Sequence, residues 1–280
     1  MNIPVLILAY NRPQITLDLI QQLKSNSDYQ LHLSLDGART HHDYIAQNEL
    51  LTRLPSDVKV NHFSKNLGCR DGVNAGLDWF FSINDFGMII EDDITITPNG
   101  LKFLETEITN VNNTQFLISA CNILDAWGLY FSSNNILLEW PQIWGWSTTA
   151  TNWFSFRNWS IPNYRTFRKR ISRYNYWERC LLKRIYNFEQ SEIIDTWDYR
   201  LALYFACEEK ISIIPSRNYV RNLDISGGTH GDGREFEMMR TTNLPPSNSI
   251  NFDSRYQALF MKKIQKATAI NHLLSLFRHE

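Results

Sequence analysis

Three adjacent carboxylates, Glu91, Asp92 and Asp93, follow the apolar run FGMII at residues 86–90. Side by side they repel one another, so burying them requires compensation. A divalent cation supplies it, and an all-oxygen donor set suits manganese or magnesium. Such an ion can bridge a diphosphate and offset charge on a departing group. The alternative is a solvated acidic turn. Four other constellations could serve the same chemistry. Arg12, in LILAYNRP, can pair with phosphate oxygens through its planar fork. Asp36, in SLDG, can accept hydrogen bonds from a base or a ribose, or simply hold a turn. In the run NLGCRDG at 66–72, two glycines allow close backbone approach and Arg70 can reach a diphosphate, or Asp71 caps a helix there. In DTWD at 195–198, either acid can be a general base, with Asp195 alternatively capping the helix that follows.

Two weaker signals complete the set. His230, in GGTHG, can ligate a metal or touch a phosphate, or be a solvated loop residue. Trp144 and Trp146, around Gly145, can stack on a sugar face or pack in the core.

These residues are remote in sequence, so a fold must gather them. Residues 3–9, 31–35, 58–63 and 86–90 read as short buried strands, separated by helical patterns. One helix carries Ile15, Leu19 and Leu23 at helical spacing after Pro13. Another fits residues 44–54, and a third runs through Val73, Leu77 and Phe81. Strand–helix alternation predicts an α/β fold with a mostly parallel, Rossmann-like sheet flanked by helices. Ligands of such sheets bind at the carboxyl ends of the strands, where Arg12, Asp36 and the three acids all fall. The second half is less regular. It predicts a helix over 191–207, a strand over 211–214 and an amphipathic tail helix over 256–277. The chain divides into a half with the phosphate- and ribose-contacting candidates (1–98), a second half of the same body with the base candidates (99–255), and a terminal amphipathic segment (256–280).

Composition narrows the class further. With 280 residues, 43% hydrophobic and 20% charged, the chain can bury a sizeable core and is not disordered. A net charge of -1 gives no global field for nucleic acid or anionic membranes. Local attraction must come from residues 165–184, which hold eight basic residues and one acid. The four scattered cysteines fit a reducing compartment. MNIPVLILAYNRP has no basic leader, and no apolar run can span a bilayer, so a cytoplasmic protein is expected, with residues 165–184 able to dock peripherally on an anionic membrane. No GxGxxG follows the first strand and no P-loop lysine motif occurs, which disfavours hydride transfer and P-loop kinases.

Taken in order, LILAYNRP, SLDG, IIEDDI, WGWS, TWDYR and GGTHG resemble the nucleotide-sugar glycosyltransferases of GT-A fold. The pattern is most similar to the β-1,2-N-acetylglucosaminyltransferases that begin complex N-glycan branches, and to their bacterial relatives. The resemblance implies an inverting, metal-dependent transferase. It would move a sugar, with N-acetylglucosamine favoured, from a UDP-sugar to a glycan or lipid-linked saccharide in surface-polysaccharide synthesis. It implies Arg12 on the donor, Asp36 on uracil, and Asp93 as direct manganese ligand. Glu91 and Asp92 would shape the site, Asp198 would be the base, and His230 would sit in a closing loop. TWDYR stands where the animal enzymes carry a tryptophan and two acids, so Asp195 competes with Asp198 for the base role. Rival expectations are a retaining GT-A transferase, which needs no conventional base, a nucleotidylyltransferase, a non-catalytic carbohydrate-binding module and a nucleic-acid binder.

Overall fold

Alternating apolar strands and amphipathic helices form the parallel half of a large sheet. The computed structural model describes residues 2–129, 133–191, 195–223, 241–242, 244–247 and 249–264. In it, β1 (Pro4–Ala9), β2 (Gln30–Leu35), β3 (Lys59–His62) and β4 (Phe86–Glu91) alternate with α1 (Pro13–Asn26), α2 (His41–Arg53) and α3 (Gly68–Ile83). β1 pairs in parallel with β2 and β4, and β2 with β3. Along β1, Val5 and Ile7 join one buried cluster while Leu6 and Leu8 join another. That alternation marks a strand covered on both faces.

The chain continues through β5 (Ile94–Ile96), α4 (Pro98–Glu107), β6 (Gln115–Ser119), α5 (Ile123–Ala126), β7 (Asn135–Leu138), β8 (Trp146–Thr149) and α6 (Ala150–Arg157). It then forms α7 (Tyr164–Arg170), α8 (Tyr176–Ser191), α9 (Asp198–Glu208), β9 (Ile211–Ile214), β10 (Val220–Asn222) and β11 (Ile250–Phe252). A last helix, α10, covers 254–264; the remainder of the expected tail helix lies outside the described residues. Among the described residues the main sheet has nine strands in the order β11-β7-β9-β6-β8-β4-β1-β2-β3. β8 runs antiparallel to both β4 and β6 and so welds the two halves into one sheet. β10 pairs antiparallel with β5 in a separate two-stranded sheet behind the acidic turn.

Two expectations change. The second helix begins at His41, before residue 44, because Thr40 and Asp43 form a reciprocal capping box. The helix expected over 191–207 starts only at Asp198: α8 ends at Ser191, and Asp195 to Trp197 precede α9. The basic stretch is two helices, α7 and α8, joined by a short 3-10 turn at Ile171–Arg173. Among the described residues no helix is long and apolar enough to cross a membrane.

Candidate active site

β4 delivers the acids to the carboxyl edge of the sheet. Glu91 is its last residue and lies opposite Leu8 of β1. The Asp92 amide donates to the Leu8 carbonyl at 2.9 Å, and the Leu223 amide donates to the Asp93 carbonyl at 2.8 Å. The turn is therefore fixed from both sides. Arg12, just past β1, places Nη1 2.7 Å from Asp92 Oδ1 and 3.2 Å from Asp93 Oδ2. The arginine expected on the donor thus pairs with the acidic turn. It neutralises that turn incompletely. Burial, then the charges of Asp93, Asp92 and Asp198, push the Glu91 carboxyl up to about 8 against the pull of Arg12. Burial raises Asp92 to about 6, although Arg12 opposes it.

A divalent ion fits this turn. Asp93 Oδ1 is buried and has no hydrogen-bond partner, which leaves a hard oxygen donor uncommitted. Among the described residues no three His, Cys, Asp or Glu side chains converge as a complete cage. An ion held by Asp93 would therefore take its other oxygens from phosphate and water, the usual arrangement for magnesium-type sites.

The next edge position belongs to Asp36, after β2. Its Oδ1 accepts from the amides of Gly37 (2.8 Å) and Leu67 (2.9 Å). Its Oδ2 accepts from Asn66 Nδ2 (2.9 Å) and the Gly68 amide (3.2 Å). A carboxylate offers roughly four acceptor sites, and the chain's own donors fill them. Asp36 therefore builds the 66–68 loop, and any contact it makes with a base must share these bonds. The glycine of SLDG is required by the same approach, since a Cβ at Gly37 would lie 2.2 Å from the Lys65 carbonyl carbon.

Arg70 turns toward α8, where its Nη2 lies 3.0 Å from Glu189, whose side chain is 2% exposed. Asp71 does not cap α3, which begins three residues earlier at Gly68. The cap comes from Asp195, which accepts from the amides of Cys69 (2.9 Å) and Arg70 (3.0 Å). Asp195 accordingly does not cap α9; that helix has Trp197 at its N-cap position and no side-chain cap. Asp198 opens α9 and accepts a hydrogen bond from the Thr196 hydroxyl. It lies three residues after Asp195, which is bonded to the start of α3, so the base candidate and the acidic turn share the carboxyl edge of the sheet. His230 lies outside the described residues.

The tryptophans of WGWS and TWD are core. Trp146 is 1% and Trp197 3% exposed, and their rings stack with centroids 5.8 Å apart. Trp146 is thus no sugar platform, and Trp144 packs, partly buried, against the other cluster.

Two residues of the site were missed from sequence. Asp43 accepts from Tyr10 Oη (2.8 Å), Asn11 Nδ2 (2.7 Å) and the Thr40 amide (3.0 Å). Burial would raise its carboxyl, but the bonds from Asn11, Tyr10 and Thr40 outweigh that and hold it well below the usual range. Gln47, 2% exposed, donates to the carbonyls of Tyr10 (3.0 Å) and Asp36 (2.7 Å) and so ties the loops after β1 and β2 together. T-x-x-D at 40–43 was the available signal. Asp43→Ala is expected to cost about 2 kcal/mol, from the lost cap and the donors stranded on Tyr10 and Asn11. Urea unfolding at neutral pH measures it; a midpoint equal to wild type would refute the role.

No protein-family model matches the chain, and no curated protein matches it. Among solved structures it is similar to S. aureus TarS 1-349, with a TM-score of 0.43 and 11% identity, covering 79% of this chain and 60% of that one. TarS 1-349 in complex with UDP-GlcNAc gives 0.41 and 13%, over 82% and 60%. The mannosyltransferase PcManGT from Pyrobaculum calidifontis, in complex with GDP-Man and Mn2+, gives 0.41 and 10%, over 74% and 69%. The chain spans about 60% of the length of the TarS fragment. These are distant likenesses of backbone, and none assigns an activity to this chain.

Proposed function

We propose that the protein is an inverting, metal-dependent glycosyltransferase of GT-A type, moving a sugar from a nucleotide-sugar donor to a hydroxyl acceptor. One observation carries this reading. The uncommitted Asp93 oxygen lies just past β4, and the segment entering Asp198 is bonded through Asp195 to the start of α3, just past β3, so both fall at the carboxyl edge of the sheet. Asp93 is assigned as the protein's ligand to manganese or magnesium, whose charge, when bound, offsets that developing on the departing nucleoside diphosphate. Arg12 adds a second positive group beside that charge. The 66–68 loop, shaped by Asp36, is assigned to the nucleotide base. Asp198 accepts the proton of the acceptor hydroxyl while the hydroxyl oxygen bonds to the anomeric carbon and the bond from that carbon to the diphosphate oxygen breaks, releasing the nucleoside diphosphate.

The donor we favour is UDP-N-acetylglucosamine, and the acceptor a glycan or lipid-linked saccharide of surface-polysaccharide assembly. Calorimetry with UDP-N-acetylglucosamine, UDP-glucose, UDP-galactose and GDP-mannose, each with and without manganese, tests the reading. Tighter binding of a UDP-sugar than of GDP-mannose, dependent on manganese, is expected. No binding by any of the four would sink it.

The basic segment bears on the acceptor. Arg170 pairs with Glu208, and Arg173 with Glu209 and Glu139, so part of its charge is spent inside the fold. Arg165, Arg168 and Lys169 remain exposed, as do Tyr164, Tyr176 and Trp177. Exposed aromatics beside cations suit the headgroup region of an anionic membrane. Neutralising Arg165, Arg168 and Lys169 to Gln should weaken flotation with phosphatidylserine vesicles about tenfold or more. Flotation equal to wild type would reject this role.

A further inference from the structure

The 66–70 loop has a second anchor that the nucleotide reading does not use. Asp36 holds it from one side, and Asp195 from the other, through the amides of Cys69 and Arg70. Gly68 sits at φ +82°, and a Cβ there would lie 2.6 Å from Asp195 Oδ2, so the backbone leaves room for this carboxylate. Arg70 then ties the same turn to Glu189 of α8. Beyond Asp195, each residue up to the base is also fixed. Thr196 is 1% exposed and donates its hydroxyl to Asp198. Trp197 lies against Trp146 and Trp153, with centroids 5.8 and 6.1 Å away. α9 has no side-chain cap of its own, so its first turn is held by this segment and by the packing of its buried face.

We propose that Asp195 is a positioning residue, clamping the segment that enters α9 onto the N-terminus of α3 and thereby setting where the Asp198 carboxylate points. This rests on the reading of Asp198 as base. The amides of Cys69 and Arg70 are among the four that a helix leaves unpaired at its start, so a carboxylate there is held by both hydrogen bonding and the helix dipole. The anchor spans 125 residues of sequence and joins the strand–helix half of the chain to the helix carrying the base. A misplacement of about 1 Å at a general base is enough to cost turnover heavily.

A purely structural cap and a positioning residue differ in a double-mutant cycle. Wild type, Asp195→Ala, Asp198→Asn and the double variant are compared for release of nucleoside diphosphate to water, with manganese and the four-sugar panel above. Rates are referred to the concentration of nucleotide-binding sites. Asp195→Ala should lower kcat about tenfold or more with donor Kd within about twofold. In the Asp198→Asn background the same change should cost less than about twofold, because its effect is already lost. Asp195→Asn, which keeps an acceptor oxygen, should recover part of the rate. Asp195→Glu, which keeps the carboxylate but displaces it by one methylene, should lower kcat in the same way and stands in for Asp195→Ala if that variant fails to fold.

Losses that multiply in the double variant, or an undiminished kcat per site in Asp195→Ala, overturn the positioning role while leaving the base intact. Normal turnover in Asp198→Asn, or no release from any sugar, brings down the base or transferase reading and this inference with it.

Discussion

Asp93→Ala is expected to abolish the manganese dependence of UDP binding, weakening UDP in the presence of manganese by about 100-fold or more, while the protein stays folded. Asp93 is the acid of the turn whose Oδ1 is both buried and unpartnered, and no other described carboxylates gather to replace it as a cage. The fold should tolerate the change, since Arg12 keeps its shorter bond to Asp92 at 2.7 Å. A second consequence follows from charge. Glu91, with its carboxyl raised to about 8, holds a proton in the folded protein that the unfolded chain releases near its ordinary value of 4.5. Between those values the native state binds more protons, so the stability of the metal-free protein falls as pH rises through that window. Asp93 is the neighbouring charge that raises Glu91 most, after burial itself. Metal-free Asp93→Ala should therefore lose less stability than wild type between pH 5 and pH 8 (round values within that window). Calorimetry of UDP with and without manganese, and thermal unfolding across that pH range, read the two effects. Unchanged metal dependence in the variant would remove Asp93 as ligand.

The parts of this site legible in the sequence are those that topology alone places. A buried strand with both faces covered is a continuous apolar run. Its end is therefore visible, and Arg12, Asp36 and Glu91 to Asp93 could be assigned to one edge without coordinates. The contacts that decide what those residues do were not legible. Asp36 has three of its four donors in a loop about thirty residues away, and Asp195 caps α3 across more than 120 residues. Local rules favoured a cap on the next helix, and tertiary packing overrode them. β8 escaped because WSTT carries no apolar period. Its Ser147 and Thr148 are nonetheless fully buried, with the Thr148 hydroxyl donating to the Phe116 carbonyl and the Ser147 hydroxyl left without a partner. The tryptophans misled for the complementary reason. A ring suited to stacking on a sugar is equally suited to stacking on another ring, and Trp146 and Trp197 do the latter.

Asp198→Asn carries the mechanism. The variant keeps the size of the side chain and an oxygen to accept from Thr196, so the start of α9 should hold its place. It removes the negative charge and the proton-accepting oxygen, and a general base so replaced lowers turnover by roughly 100-fold or more. Donor affinity should barely move, because Asp93, Arg12 and the Asp36 loop, which are assigned to the donor, stay in place. One electrostatic side effect is expected. Asp198 is among the charges that raise Glu91, so its neutralisation should bring the Glu91 carboxyl down and flatten the loss of stability toward pH 8. That second readout matters because it reports proximity independently of catalysis. Steady-state kinetics, donor titration and the anomeric configuration of the product by NMR together separate the possibilities. Near-normal turnover with a flattened pH profile would leave Asp198 beside the metal turn but outside the proton transfer. A product that retains the donor's configuration would replace single displacement by a retaining route, which needs no base at this position, while the assignments of Asp93 and of the nucleotide loop would stand. Loss of turnover with inversion and unchanged donor affinity is the outcome the geometry predicts.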